Sequence, residues 1–116
     1  MRLKLAFNEV QQTRVIAPSD IVYIEADGTS SKVFFWYKGE ITCHHHSKPI
    51  GFIEDALEEM EAFVRIHQSY IINMDHVLTI HQADSQRAKV EMEGLQELIP
   101  ASRNYKYRLK MNLKEI

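Results

Sequence analysis

The chain has 116 residues, 45% of them hydrophobic and 26% charged, with a formal net charge of −2. That length closes about one core, the composition is that of a folded chain rather than a disordered one, and the near balance of charge excludes a wholly basic nucleic-acid wrapper. A single cysteine, Cys43, excludes an internal disulfide framework, and no apolar run nears the roughly 20 residues of a membrane span, so the expected setting is cytoplasmic with no membrane insertion.

Leu3, Leu5 and Phe7 alternate with Arg2, Lys4 and Ala6, the pattern of a half-buried strand. Residues 21–26 (IVYIEA) are branched and aromatic, as strands prefer, and Asp27-Gly28 ends them as a turn. Residues 32–37 (KVFFWY) form a second strand closed by Lys38-Gly39, with 40–43 as its hairpin partner. Phe52, Ile53, Ala56, Leu57 and Met60 then recur at helical spacing, leaving Glu54, Asp55, Glu58, Glu59 and Glu61 mostly outward. Residues 63–67 and 70–73 are short strands interrupted at Gln68-Ser69. Residues 76–81 and 88–92 make a further hairpin over a polar loop, and 97–99 a last short strand before Pro100. A second helix is expected from Ser102 as its N-cap through Tyr105, Leu109, Leu113 and Ile116, with Lys106, Lys110 and Lys114 on its flank. These elements predict one domain over residues 1–116. Its class is mainly β, an elongated antiparallel fold of several short strands with one short amphipathic helix and a C-terminal helix.

Charge is segregated within this frame. Residues 51–63 carry five acids and no base, whereas residues 101–116 carry five bases against the single acid Glu115. A chain that is acidic overall can therefore present one basic face.

Few residue sets could carry catalysis. Side chains alternate on a strand, so of His44-His45-His46 at most His44 and His46 share a face, while Cys43 points with His45. A transition-metal site needs three or four converging ligands, and this spacing supplies two; no metal and no cofactor are expected. His67, Ser69 and Asp75 could be assembled into a hydrolytic triad, but the sequence has no Gly-x-Ser-x-Gly elbow, and its four glycines form no phosphate-cradling loop. No enzyme is expected.

A second polar set is more pointed. His67, Ser69, Tyr70 and Asn73 stand inside an apolar stretch, and Ser102-Arg103-Asn104-Tyr105 puts an arginine at a helix start, where the dipole disfavours a cation. Thr29-Ser30-Ser31-Lys32 follows Gly28 as a hydroxyl-rich loop. Hydroxyl, amide and guanidinium groups are the types that bond phosphates and base edges. Each also has a purely structural use: Asn73 suits a turn, Ser69 can bond its own backbone, Ser102 can cap a helix and Arg103 can pair with Glu97.

Four stretches together resemble the LytTR (LytR/AlgR-type) family of bacterial DNA-binding domains. They are IVYIEADG at 21–28, FVRIHQSYIIN at 63–73, IPASRNY at 99–105, and the acidic helix just before the second. The likeness covers about residues 15–114; Gln68 departs from it where a base is common, and Ala101 where Val or Ile is common. The resemblance implies a sequence-specific double-stranded DNA-binding domain of a bacterial transcriptional regulator, which reads successive major grooves with loops and bends the duplex. It further implies two copies on direct-repeat half-sites and a receiver domain or regulatory protein as partner, although this chain contains no receiver domain. By position it makes Ser31, Asn73 and Arg103 the base-contacting residues, with Lys32 in support at the first of these. Lys32, Ser69, Ser102, Lys106 and Lys110 are the expected backbone contacts, and His67 and Tyr70 the structural support, with His67 organising the Asn73 loop. The alternative is a LytTR-like protein-interaction module that controls a regulator or a membrane partner.

Overall fold

The computed structural model describes residues 3–82, 87–105 and 107–116. Among these residues ten strands and two α-helices form three antiparallel sheets, elongated to 47 × 29 × 28 Å. β1 (Leu5–Asn8) pairs with β2 (Thr13–Ile16) as a two-stranded hairpin. The central sheet has the order β5-β4-β3-β7-β6, built from β3 (Ile21–Asp27), β4 (Ser30–Tyr37), β5 (Glu40–His46), β6 (Phe63–His67) and β7 (Tyr70–Asn73). The third sheet has the order β10-β9-β8, from β8 (Val77–Gln82), β9 (Ala88–Met92) and β10 (Ile99–Ala101). Helix α1 (Ile50–Ala56) links β5 to β6, and α2 (Tyr107–Met111) follows β10.

The central sheet is buried on both faces, which is why its strands read as continuous apolar runs instead of clean alternations. On one face Ile21, Ile24, Val33, Phe35 and Ile71 meet Phe7, Ile16 and the α1 residues Ile50 and Ile53. On the other, Val22, Val64, Ile66 and Ile72 meet Val90, Met92, Ile99 and Leu109. A bulge between Ile21 and Tyr23 leaves Val22 unpaired on β4 and turns Val22 and Tyr23 towards the same face, so the alternation changes phase there. Val22, Ile24, Val33, Ile66 and Ile72 are wholly enclosed, each contributing about 1.5–3 kcal/mol relative to an exposed side chain. Between β4 and β5 the two-residue turn has Lys38 at φ 51° and Gly39 at φ 82°. Two left-handed residues in a row match the twist of the strands, and Gly39 takes that geometry without strain.

The predicted mainly β class holds, with four differences in detail. β2 was not anticipated, because TRVI is short and only Ile16 of it is buried. β5 continues through His46. Pro100 lies inside β10 rather than after the strand, a position open to proline because β10 is the last strand of its sheet. Among the described residues the C-terminal helix spans Tyr107–Met111 and does not reach back to Ser102. The Ser102 N–H is taken up by Ile66 O at 2.8 Å, and the Tyr105 N–H returns to Ser102 O at 3.0 Å, so residues 102–105 form a turn beside β6.

Candidate nucleic-acid interface

Three segments meet at one end of the central sheet. Glu25 pairs with Lys32 on one side and Tyr70 on the other, and the Ala26 N–H donates to Ser69 O at 2.8 Å. The tip of the β3–β4 hairpin therefore lies beside the β6–β7 turn. The bond from Ser102 N to Ile66 O brings the segment after β10 to the other flank of that turn. Loops at 27–30, 67–70 and 102–105, far apart in the chain, become neighbours through backbone pairing alone.

The middle loop is held from several directions. The Ser69 N–H donates to His67 Nδ1 at 3.0 Å, so in the neutral ring the proton sits on Nε2. Arg65 Nε donates to His67 O at 3.2 Å, and its Nη2 to Gln68 O. Tyr70 Oη donates to a Glu25 carboxylate oxygen at 3.2 Å, and its ring lies 5.4 Å from that of His67. Tyr23 and Phe34 stack face to face at 4.4 Å next to it. Burial, and then the Glu25 charge, push the Tyr23 and Tyr70 hydroxyls above the usual phenol range, so both stay neutral. With the loop's backbone engaged in this way, the Gln68 side chain is left exposed at the tip.

The expected contact residues separate into two groups. Arg103 is exposed, and among the described residues no hydrogen bond or ion pair holds its guanidinium. It stands in a turn and not in the first turn of a helix, so a helix dipole does not bear on its placement. Lys32, Ser69 and Ser102 are half-buried at the same end, and Lys110 is exposed on α2. Lys106 lies outside the described residues. Ser31 and Asn73 break the expectation. Ser31 is 1% exposed and its hydroxyl donates to Lys48 O at 2.8 Å.

Asn73 is also 1% exposed and lies at the far end of β7. Its Nδ2 donates to Ile21 O at 2.9 Å and Pro18 O at 3.3 Å, while Oδ1 accepts from Asp75 N at 3.0 Å. An amide with all these partners is a structural clasp, with its donors and its acceptor engaged inside the fold. His67 likewise organises its own loop, not that of Asn73. The exposed amide that sequence reading passed over is Gln68, whose position at the break between two strand patterns is the signal that marks it.

His44 and His46 share a face, with rings 6.1 Å apart, while His45 points away with its Nε2 3.9 Å from Cys43 Sγ. His44 is buried against Phe7, its Nδ1 3.3 Å from a Glu9 carboxylate oxygen. Burial depresses its basicity, and Glu9 only partly opposes that. Burial also pushes the Cys43 thiol up, against the pull of Lys32. Among the described residues no group of three or more His, Cys, Asp or Glu side chains could hold a metal ion, and no helix is long and apolar enough to cross a membrane. A cleft of about 740 Å³ between α1, β6 and α2 is lined by Glu54, Asp55, Glu58 and Glu61 as well as Arg65 and Arg108. That lining repels a phosphate backbone, which leaves the sheet end with Arg103 as the better candidate.

Comparison with known proteins gives the family and the fold. The family model described as the LytTr DNA-binding domain matches residues 11–114. The CO-responsive transcriptional regulator RcoM of Rhodospirillum rubrum is 30% identical over 106 residues, an alignment covering 86% of this chain and 40% of that protein. The chain thus spans about 40% of the length of the curated relative it matches. Among solved structures, a LytTr DNA-binding domain from Bacillus cereus superposes with a TM-score of 0.75 at 18% identity, covering 94% of each chain, and so shares the fold.

Proposed function

Because the chain belongs to the LytTr DNA-binding domain family, we propose that it is the sequence-reading part of a bacterial transcription regulator and that it reads duplex DNA with the three-loop end of its central sheet. The observation that carries this reading is that two exposed residues able to read bases, Gln68 and Arg103, stand on segments joined by the Ser102–Ile66 backbone bond. Arginine donates two bonds to guanine O6 and N7, and glutamine pairs with adenine N6 and N7. Lys32, Ser69, Ser102 and Lys110 hold phosphates, and Lys106 joins them by its place in the chain; such contacts fix orientation without reading sequence. Ser31 and Asn73 support the two ends of the scaffold rather than touching bases.

Two copies bind direct-repeat half-sites, and the loops enter successive major grooves of a bent duplex. Regulation comes from a receiver or other partner. Selection of bound duplexes from a random pool tests the reading directly. Wild-type protein should enrich one motif, and Arg103→Ala should lose preference at one position by about 1–3 kcal/mol. Gln68→Ala should relax a different position. Failure to enrich any motif, with a protein-only complex formed instead, would favour the interaction-module alternative.

A further inference from the structure

Resting on that reading, we propose that Arg65 is the positioning residue of the recognition end: it fixes the β6–β7 turn and clasps it to the segment carrying Arg103, so that Gln68 and Arg103 are presented together. The Arg65 side chain is 13% exposed and too occupied to reach a phosphate. Its Nε and Nη2 donate to two successive carbonyls of the turn, His67 O and Gln68 O. Its Nη1 donates to Glu54 Oε1 of α1 at 2.8 Å, which neutralises the guanidinium. Its Cζ also lies 5.7 Å from the Tyr105 ring centroid, two residues beyond Arg103.

One planar group therefore touches α1, the middle loop and the third loop at once. Glu54 extends the clasp: its other oxygen accepts from Arg108 Nη1 at 3.3 Å, and Arg108 Cζ lies 5.0 Å from the same Tyr105 ring.

Only a guanidinium can do this at position 65. Its donors leave in fixed, coplanar directions, matching two adjacent carbonyls and a carboxylate simultaneously. A lysine ammonium carries the same charge as a single point and cannot span the three acceptors. The carbonyls of residues 67 and 68 go to Arg65, that of Ser69 goes to Ala26, and the Ser69 N–H goes to the His67 ring. The turn is then closed on its inner side and the Gln68 side chain has only the outer side left.

The test compares wild type with Arg65→Lys, Arg65→Met and Glu54→Gln. Binding is measured on the selected duplex and on a scrambled one, and amide hydrogen exchange is followed across residues 66–70 without DNA. Both Arg65 variants should lose between about 5- and 150-fold on the selected duplex, the equivalent of one lost base contact, with little change on the scrambled one. Exchange at Ser69 should accelerate in both, and lysine should not rescue. Glu54→Gln keeps the carbonyl bonds and should retain most of the selectivity. Arg65→Lys with wild-type selectivity and exchange would overturn the proposal. So would equal losses on both duplexes with unchanged exchange, the signature of a direct phosphate contact. If wild type itself prefers no duplex, the DNA-reading function fails, and the exchange data alone still decide whether Arg65 shapes the turn. If Arg65→Met does not fold, the lysine variant carries the same comparison.

Discussion

The two ends of β7 are about 10 Å apart, and they put the same functional group to opposite uses. At one end the Asn73 amide is enclosed and bonded to Pro18, Ile21 and Asp75. At the other, the Gln68 amide just before the strand is exposed while its backbone is held. The closed end is also where β4 and β5 carry Trp36 and Ile41, packed beneath the turn at Gly94. The open end gathers the three loops. What separates them is partner supply. An amide surrounded by backbone groups freed at strand ends is consumed by structure, whereas one at a turn whose backbone is already satisfied is available to a ligand.

This contrast can be broken most sharply at Gly94. Its φ of 82° is left-handed, and a Cβ there would lie 2.5 Å from Trp36 Cζ2. Gly94→Ala combines backbone strain with overpacking and should cost about 2–5 kcal/mol, read from the urea midpoint. The folded fraction should still select the same DNA motif; a change of motif would show that the closed end takes part in reading.

Next in size is Asn73→Ala, which orphans two carbonyls and one N–H and should cost about 2–4 kcal/mol. Selected and scrambled duplexes should be affected alike. A stable Asn73→Ala that lost preference at one base position would erase the distinction between the ends.

The smallest effect is expected with pH. Burial lowers the folded-state pKa of His44 and His46 below the ordinary 6.5, so below that pH the unfolded chain takes up protons that the folded chain refuses. Their contribution to stability is complete above pH 6.5 and is progressively lost as pH falls below it. His44→Phe should flatten that part of the unfolding profile, whereas motif preference at pH 6 and pH 7.5 should be the same. An unaltered profile in the variant would assign the acid sensitivity to other groups.

Much of this architecture was legible in the chain. The runs IVYIEA, KVFFWY and YIIN name their strands, because a sheet covered on both faces leaves few positions for polar residues. Asp27-Gly28 and Lys38-Gly39 announce their turns. The family likeness rests on the same stretches, together with the loops that end them.

What could not be read is governed by partners distant in sequence. Asn73 finds carbonyls 52 and 55 positions away, and no local pattern distinguishes a clasping amide from a reading one. The backbone bond from Ser102 to Ile66 keeps the chain alongside β6, and residues 102–105 form a turn there where helical spacing predicted a helix start. Glu54 belongs to an acidic run that looks solvated by composition, yet it bridges Arg65 and Arg108. Gln68 was visible as a departure from the family pattern; the enclosed backbone behind it was not.

The inward-facing carbonyls of the β6–β7 turn have an evolutionary consequence. Since the shape of the loop depends on Arg65, the His67 ring and main-chain atoms, the identity of the side chain at position 68 is decoupled from folding. On the proposed reading that position is a socket, where exchange of one residue would change operator preference with no repair needed in the scaffold that presents it.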